Sequence, residues 1–118
     1  MSHSYRDLLV WQKSIKFVRN IYVQTGSFPK EELFGLTSQI RRAAVSIPSN
    51  IAEGQGRLSK REFKQFLGIA RGSLLELETQ LLIEGELGYM CQPELEELLR
   101  QTAELLRMLN GLMSAIAH

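Results

Sequence analysis

The stretch "LFGLTSQIRRAAVSIPSNIAEGQGR", Leu33 to Arg57, decides the fold. Leu33, Leu36, Ile40, Ala44, Ile47 and Ile51 step by three and four, the spacing of one face of an amphipathic helix. At about 100° per residue, Arg42 falls nearly opposite the stripe centred on Ile40 and Ile47, and Arg41 on its flank. Pro48 lies inside this pattern. It cannot donate to the Ala44 carbonyl and its ring crowds it, so a kink or break is expected there. Ser46 and Ser49 are placed to bond the freed backbone groups. Asn50 lies about 80° from the stripe centre and reads as a register residue at the edge of the seam. Glu53 faces the same way as Arg42. Gly54 and Gly56 then allow a tight reversal towards Arg57. Gly54-Gln55-Gly56-Arg57 has neither the Gly-Lys-Ser/Thr of a P-loop nor a strand before it. Pro48, Asn50, Glu53, Gly54 and Gly56 therefore read as a structural elbow, not a phosphate loop.

The same periodicity extends on both sides. A first helix near 7–25 carries Leu8, Trp11, Ile15, Val18 and Tyr22, with Asp7 as N-cap and Gly26 and Pro29 as the stop. The second runs near 30–54, with Lys30 and Glu31 in its first turn. A third near 59–88 opens on Ser59 and Glu62, a capping box, and carries Phe63, Phe66, Ala70, Leu74, Leu77 and Leu81 up to Gly88. A fourth near 93–117 opens on Pro93 and continues through Leu95, Leu98, Thr102, Leu105, Leu109, Leu112 and Ile116. Alternation at period two never persists. Four helices with short connections give an all-α, antiparallel up-down four-helix bundle, kinked at Pro48, with one domain over 1–118.

The chain has 118 residues, 44% of them hydrophobic and 23% charged, ordinary values for a soluble globular protein. A net charge of +1 excludes a polycation. The charge is uneven, however: residues 1–58 hold eight Lys/Arg and four Asp/Glu, whereas 59–118 hold six and nine. A basic face in the first half and at the start of the third helix follows. Cys91 is alone, which precludes an internal disulfide and fits a reducing cytoplasm. "MSHSYRDLLVWQKSIKF" has no uninterrupted apolar core of a secretory leader, and no run approaches 18 apolar residues. A cytoplasmic protein without a membrane segment is expected.

Some apolar residues lie off the main stripes. Val10, Phe17, Ile21 and Val23 add to the first helix; Leu99, Leu106 and Met113 in the fourth read as a wide core face. In the third, Gly68, Gly72, Leu75, Thr79 and Leu82 form a second line. Glycine costs up to about 1 kcal/mol inside a helix, so something packs there. Core and subunit interface are both open readings for that line.

The inventory for chemistry is empty. His3 and His118 are terminal and have no neighbours at metal-ligand spacing, and one cysteine cannot build a zinc site. Glu76, Glu78, Glu84 and Glu86 read as a solvated helix face, and no interior histidine completes a di-metal bundle motif. No catalytic residue, metal ligand or cofactor is expected, and the chain is read as a non-enzyme. What remains is positive charge: Arg41, Arg42, Arg57, Lys60, Arg61, Lys64 and Arg71, with Lys13, Lys16 and Arg19 on the polar side of the first helix. Lys60 and Arg61 at a helix N-terminus oppose the dipole preference, a local cost that points to an anionic partner.

"DLLVWQKSIKFVRNIY", "FPKEELFGLTSQIRRAAVSIPSNIAEGQGRLSKREFKQFLGIARGSLLELETQL" and "LGYM" resemble a small four-helix-bundle family. It includes the proteins encoded by intervening sequences of bacterial 23S rRNA genes and the accessory variability determinant of diversity-generating retroelements. The resemblance implies a homopentameric, barrel-like assembly with a basic surface that contacts nucleic acid. For the retroelement member it also implies a reverse-transcriptase partner. Arg41, Arg42, Arg57, Lys60, Arg61 and Lys64 fall in the matching motif. The retroelement member is strongly basic, whereas this chain is near neutral, which favours the intervening-sequence type. Two functions stand as expectations: an oligomeric nucleic-acid-associated protein, RNA before DNA, and a protein-interaction scaffold.

Overall fold

The computed structural model describes residues 4–116. Four helices carry the fold: α1 Leu9–Thr25, α2 Leu36–Gln55, α3 Lys60–Glu86 and α4 Gln92–Ala115. Short 3-10 turns at Tyr5–Asp7 and Lys30–Glu32 precede α1 and α2, and no strand occurs among the described residues. Each helix packs on its neighbours in the chain, and α1 closes the ring against α4. Side-chain pairs fix the registers. Lys13 meets Glu104 and Asn20 meets Gln101 between α1 and α4. Ser46 meets Ser73 between α2 and α3, and Arg71 meets Asn110 between α3 and α4. Within α1–α4 the partner number falls as the first number rises, which supports the up-down reading.

The core is one cluster. Ile40, Ala44, Ile47 and Ile51 of α2 are fully buried against Leu67, Leu74, Leu77 and Leu81 of α3, as their spacing requires. Leu98, Leu105 and Leu109 close it from α4, with Leu99, Leu106 and Met113 packed at its edge. In α1 the buried line is Val10, Ser14, Phe17, Ile21 and Thr25, not the expected one. Ile15 and Tyr22 are exposed, and Trp11 and Val18 are half-buried. Ser14 and Thr25 belong to the core line because their hydroxyls donate to the carbonyls of Trp11 and Ile21, both at 2.7 Å. Their polarity hid that line in the sequence.

Two helix starts also differ from expectation. Lys30 and Glu31 form a separate 3-10 turn, and α2 begins only at Leu36, because Gly35 (φ −112°, ψ −113°) interrupts the helix. A Cβ there would come 2.9 Å from Glu32 Oε1, the atom that accepts the Leu36 N–H. Leu8, not Asp7, caps α1, and it does so without a side-chain bond. At α3 the Glu62 N–H donates to Ser59 Oγ at 3.1 Å. The Glu62 carboxylate returns to that hydroxyl, not to the backbone, so the box is half closed.

The elbow is a close approach more than a turn. α2 runs without a break from Leu36 to Gln55, with Pro48 buried inside it. Ser49 Oγ donates to the Val45 carbonyl at 2.8 Å. Ser46 leaves the backbone alone and bonds Ser73 Oγ across the helix pair at 2.8 Å, while Asn50 Nδ2 donates to both the Ser46 carbonyl and Ser46 Oγ. Gly54 is required by packing: a Cβ there would lie 2.7 Å from the Phe66 Cβ and 3.1 Å from Phe63 Cδ1. Gly56 ends α2 in an ordinary right-handed conformation (φ −79°, ψ −6°), so the reversal itself needs no glycine geometry. No helix among the described residues is long and apolar enough to cross a membrane.

Candidate nucleic-acid interface

The basic residues divide by what holds them. Arg41 points from α2 back to the end of α1. Its Nε donates to Thr25 Oγ1 at 2.9 Å and its Nη2 to the Tyr22 carbonyl at 3.3 Å, and its guanidinium carbon stands 4.5 Å from the Tyr22 ring centroid. A planar fork stacked on a ring and donating to a helix-end carbonyl is a latch between helices. Arg57 pairs with Glu53 at 2.8 Å and covers the Phe66 ring at 4.8 Å, which ties the α2–α3 connection to both helices. Arg71 donates to Asn110 Oδ1 at 2.8 Å and joins α3 to α4. These three arginines serve the bundle.

Arg42, Lys60 and Arg61 are different. Arg42 projects outward from the middle of α2, and Lys60 and Arg61 stand exposed on the first turn of α3. None of the three has an ion-pair or hydrogen-bond partner among the described residues. Lys64, half-buried, is engaged within the fold. The seven expected contacts therefore do not form one cluster. Eighteen positions and a change of helix separate Arg42 from Lys60, so the free cations form two patches, one at mid-α2 and one at the start of α3.

A family model described as 23S rRNA-intervening sequence protein matches residues 6–111. The chain belongs to that family. A crystal structure of a protein of unknown function from the S23 ribosomal protein family of Bacteroides thetaiotaomicron VPI-5482 has a similar fold, with a TM-score of 0.83 at 24% identity. The likeness covers 91% of this chain and 96% of that one. No curated protein matches the sequence.

The remaining residues of this family member fall into place around that surface. Of the α3 line, Leu75, Thr79 and Leu82 are exposed, and a Cβ on Gly72 would meet nothing within 4 Å. Gly68 lies near Met113 of α4, with 3.9 Å between a built Cβ and its Cε. From Gly72 to Leu82 the line is thus bare on the protomer. His3 and His118 lie outside the described residues. Among the described residues, no group of three or more His, Cys, Asp or Glu side chains is arranged to hold a metal.

Two features escaped the sequence reading. Glu84 does not belong to a solvated face: it is fully buried, and neither carboxylate oxygen has a hydrogen-bond partner. Burial raises its pKa to about 8, which keeps it mostly protonated at neutral pH. Its position three after Leu81 and seven after Leu77 was the available signal. The second is a trough between α1 and α2. One end, about 640 Å³, is walled by Tyr22, Leu33, Phe34, Arg41, Arg42 and Val45. The other, about 430 Å³, shares Val45 and is walled by Trp11, Ile15, Val18, Arg19 and Pro48. The α1 residues expected in the core line this trough.

Proposed function

We propose that this chain is a non-enzymatic, oligomeric protein that associates with nucleic acid, RNA in the first place, through backbone-phosphate contacts. The observation that supports it is the state of Arg42, Lys60 and Arg61: exposed and unpaired, whereas Arg41, Arg57 and Arg71 are spent on the bundle. Phosphate contacts of this kind position a nucleic acid without reading its sequence. A near-neutral protomer gains affinity by repetition, and a pentameric ring presents the patches five times to one ligand. The cytoplasm, where a lone cysteine stays reduced, is the compartment this reading uses. Fluorescence anisotropy with a structured RNA tests it. Binding that weakens steeply with salt is expected, and substituting Arg42, Lys60 and Arg61 by Glu abolishes it. Equal binding by that variant at low salt overturns the reading.

A second reading has its own support in the uncovered apolar surfaces. On it the chain is an interaction scaffold, such as an accessory subunit of a reverse transcriptase, that receives a protein and does not touch nucleic acid itself. Capture of RNA by the purified chain alone separates the two.

A further inference from the structure

Gly56 to Ser59 join α2 to α3, and Leu58 in this short connection is fully exposed, more so than any other large apolar side chain among the described residues. A single exposed leucine is ordinary. The surroundings of this one are not. Both of its neighbours are tied down. Arg57 donates its N–H to the Gly54 carbonyl at 3.1 Å and pairs through Nη2 with Glu53 at 2.8 Å. Ser59 Oγ accepts the Glu62 N–H at 3.1 Å and caps α3. Leu58 is therefore a fixed apolar knob and not the tip of a loose loop.

Beside the knob lies a two-layer stack. The Arg57 guanidinium carbon stands over the Phe66 ring, 4.8 Å from its centroid. Phe66 is itself firmly seated, because its Cβ lies against α2 where Gly54 has no side chain. Arg57 nevertheless keeps 41% of its side chain in water. With one face of the guanidinium on the ring, the exposed remainder is its edge and the face turned away. A planar guanidinium held in this way is a surface on which a second flat group can stack. Its charge is already met by Glu53; its outer face is not covered.

Free charge follows at once. Lys60 and Arg61 are exposed on the first turn of α3, and at most about 10 Å of chain separates Leu58 from Arg61. The two carboxylates between residues 53 and 64 are engaged, Glu53 by Arg57 and Glu62 by the Ser59 hydroxyl. A flat plane, an apolar knob and two free cations within five residues match the parts of one nucleotide: a base with an apolar face, and the phosphates beside it.

We propose that the α2–α3 connection is a base-stacking platform, on which Arg57 and Leu58 receive an unstacked base of single-stranded RNA while Lys60 and Arg61 hold the adjoining phosphates. This rests on the nucleic-acid reading above and names the form of RNA that the site takes. Inside an A-form duplex each base is covered on both faces by its neighbours, so a duplex meets only the two cations. Single strands, loops and bulges offer a free face as well. Stacking accepts any base, so the preference is for form and not for sequence. Because Arg57 is neutralised by Glu53, the platform adds affinity without steepening the salt dependence.

The test is fluorescence anisotropy with a single-stranded RNA of non-pairing sequence and a duplex of equal length. Wild type binds the single strand more tightly. Leu58→Ser removes the knob, and Arg57→Lys keeps a charge beside Glu53 while removing the plane; circular dichroism confirms that both are folded. Each lowers the single-strand preference by about fivefold or more. The slope of log K against log salt, which counts phosphate contacts, stays that of wild type. Leu58→Trp gives a direct signature of stacking: the single strand quenches its indole emission and the duplex does not. If wild type binds both forms equally, or either variant keeps the wild-type preference, or both RNAs quench the new Trp alike, the platform is wrong while nucleic-acid binding stands. If wild type binds neither RNA, the nucleic-acid reading falls and the platform with it.

Discussion

Ser46 on α2 and Ser73 on α3 meet hydroxyl to hydroxyl at 2.8 Å, and Asn50 holds the Ser46 oxygen from one turn below at 2.9 Å. These groups sit half-buried on the seam of the most extensively packed helix pair. A slip of one residue in either helix would leave their polar atoms without these partners, so the triad specifies register where leucine packing alone would tolerate a shift. Ser46→Ala and Ser73→Ala should each cost about 1 kcal/mol in urea unfolding. Their double-mutant cycle should return a coupling of about 0.5 to 1.5 kcal/mol. Additive losses would mean the bond contributes nothing.

Glu84 should impose a pH dependence on stability. In the unfolded chain its carboxyl ionises near 4.5, whereas in the fold it holds its proton up to about 8. Between those values the unfolded chain binds fewer protons than the folded one, so the stability that Glu84 contributes is full below pH 4.5 and is lost as pH rises towards 8. The loss attributable to this one group is of order 4 kcal/mol. Glu84→Gln keeps the shape and cannot ionise. Its melting temperature should vary less between pH 5 and pH 8.5 and exceed that of wild type at the upper end. Parallel melting curves for the two proteins across that range would contradict this account of Glu84.

Gly54 and Gly72 should respond in opposite ways to alanine. At Gly54 the new methyl meets the Phe66 Cβ at 2.7 Å, a position that α3 can vacate only by moving away from α2. A loss of about 1 to 3 kcal/mol is expected despite the better helix propensity. At Gly72 nothing stands within 4 Å, so the propensity gain of about 1 kcal/mol should appear whole in the protomer. Thermal unfolding of the two variants decides both.

Adjacent arginines should separate structure from binding. Arg41→Ala removes the stack on Tyr22 and the bonds to Thr25 and the Tyr22 carbonyl, and should lower stability by about 1 to 2 kcal/mol. Arg42→Ala touches nothing in the fold and should leave the melting temperature unchanged while weakening RNA binding. A reversed pattern would mean that the roles of the pair are exchanged.

The extent to which the sequence was legible follows from how each helix spends its apolar residues. α2 has one apolar face, so Ile40, Ala44, Ile47 and Ile51 could be placed at once. α1 has two, and periodicity cannot tell the core line of Val10, Phe17 and Ile21 from the trough line of Trp11, Ile15 and Val18 when Ser14 and Thr25 interrupt the former. Arg41 and Arg42 were placed on the correct sides by the 100° rule. That Arg41, Arg57 and Arg71 would be occupied depends on rings and amides from other helices, which no local pattern carries. The burial of Glu84 was written in its phase with Leu77 and Leu81 and hidden by the acidic residues around it.

The measurement that bears most directly on the proposed function is the salt dependence of RNA affinity, for wild type and for a variant in which Arg42, Lys60 and Arg61 are Ala. Removing one phosphate-binding cation should reduce the slope of log K against log salt by about 0.7 to 0.9. A slope shallower by about 2 to 3 per engaged subunit, with an unchanged melting temperature, is the predicted result. The same slope in both proteins, or no binding by wild type at about 50 mM salt, would contradict it.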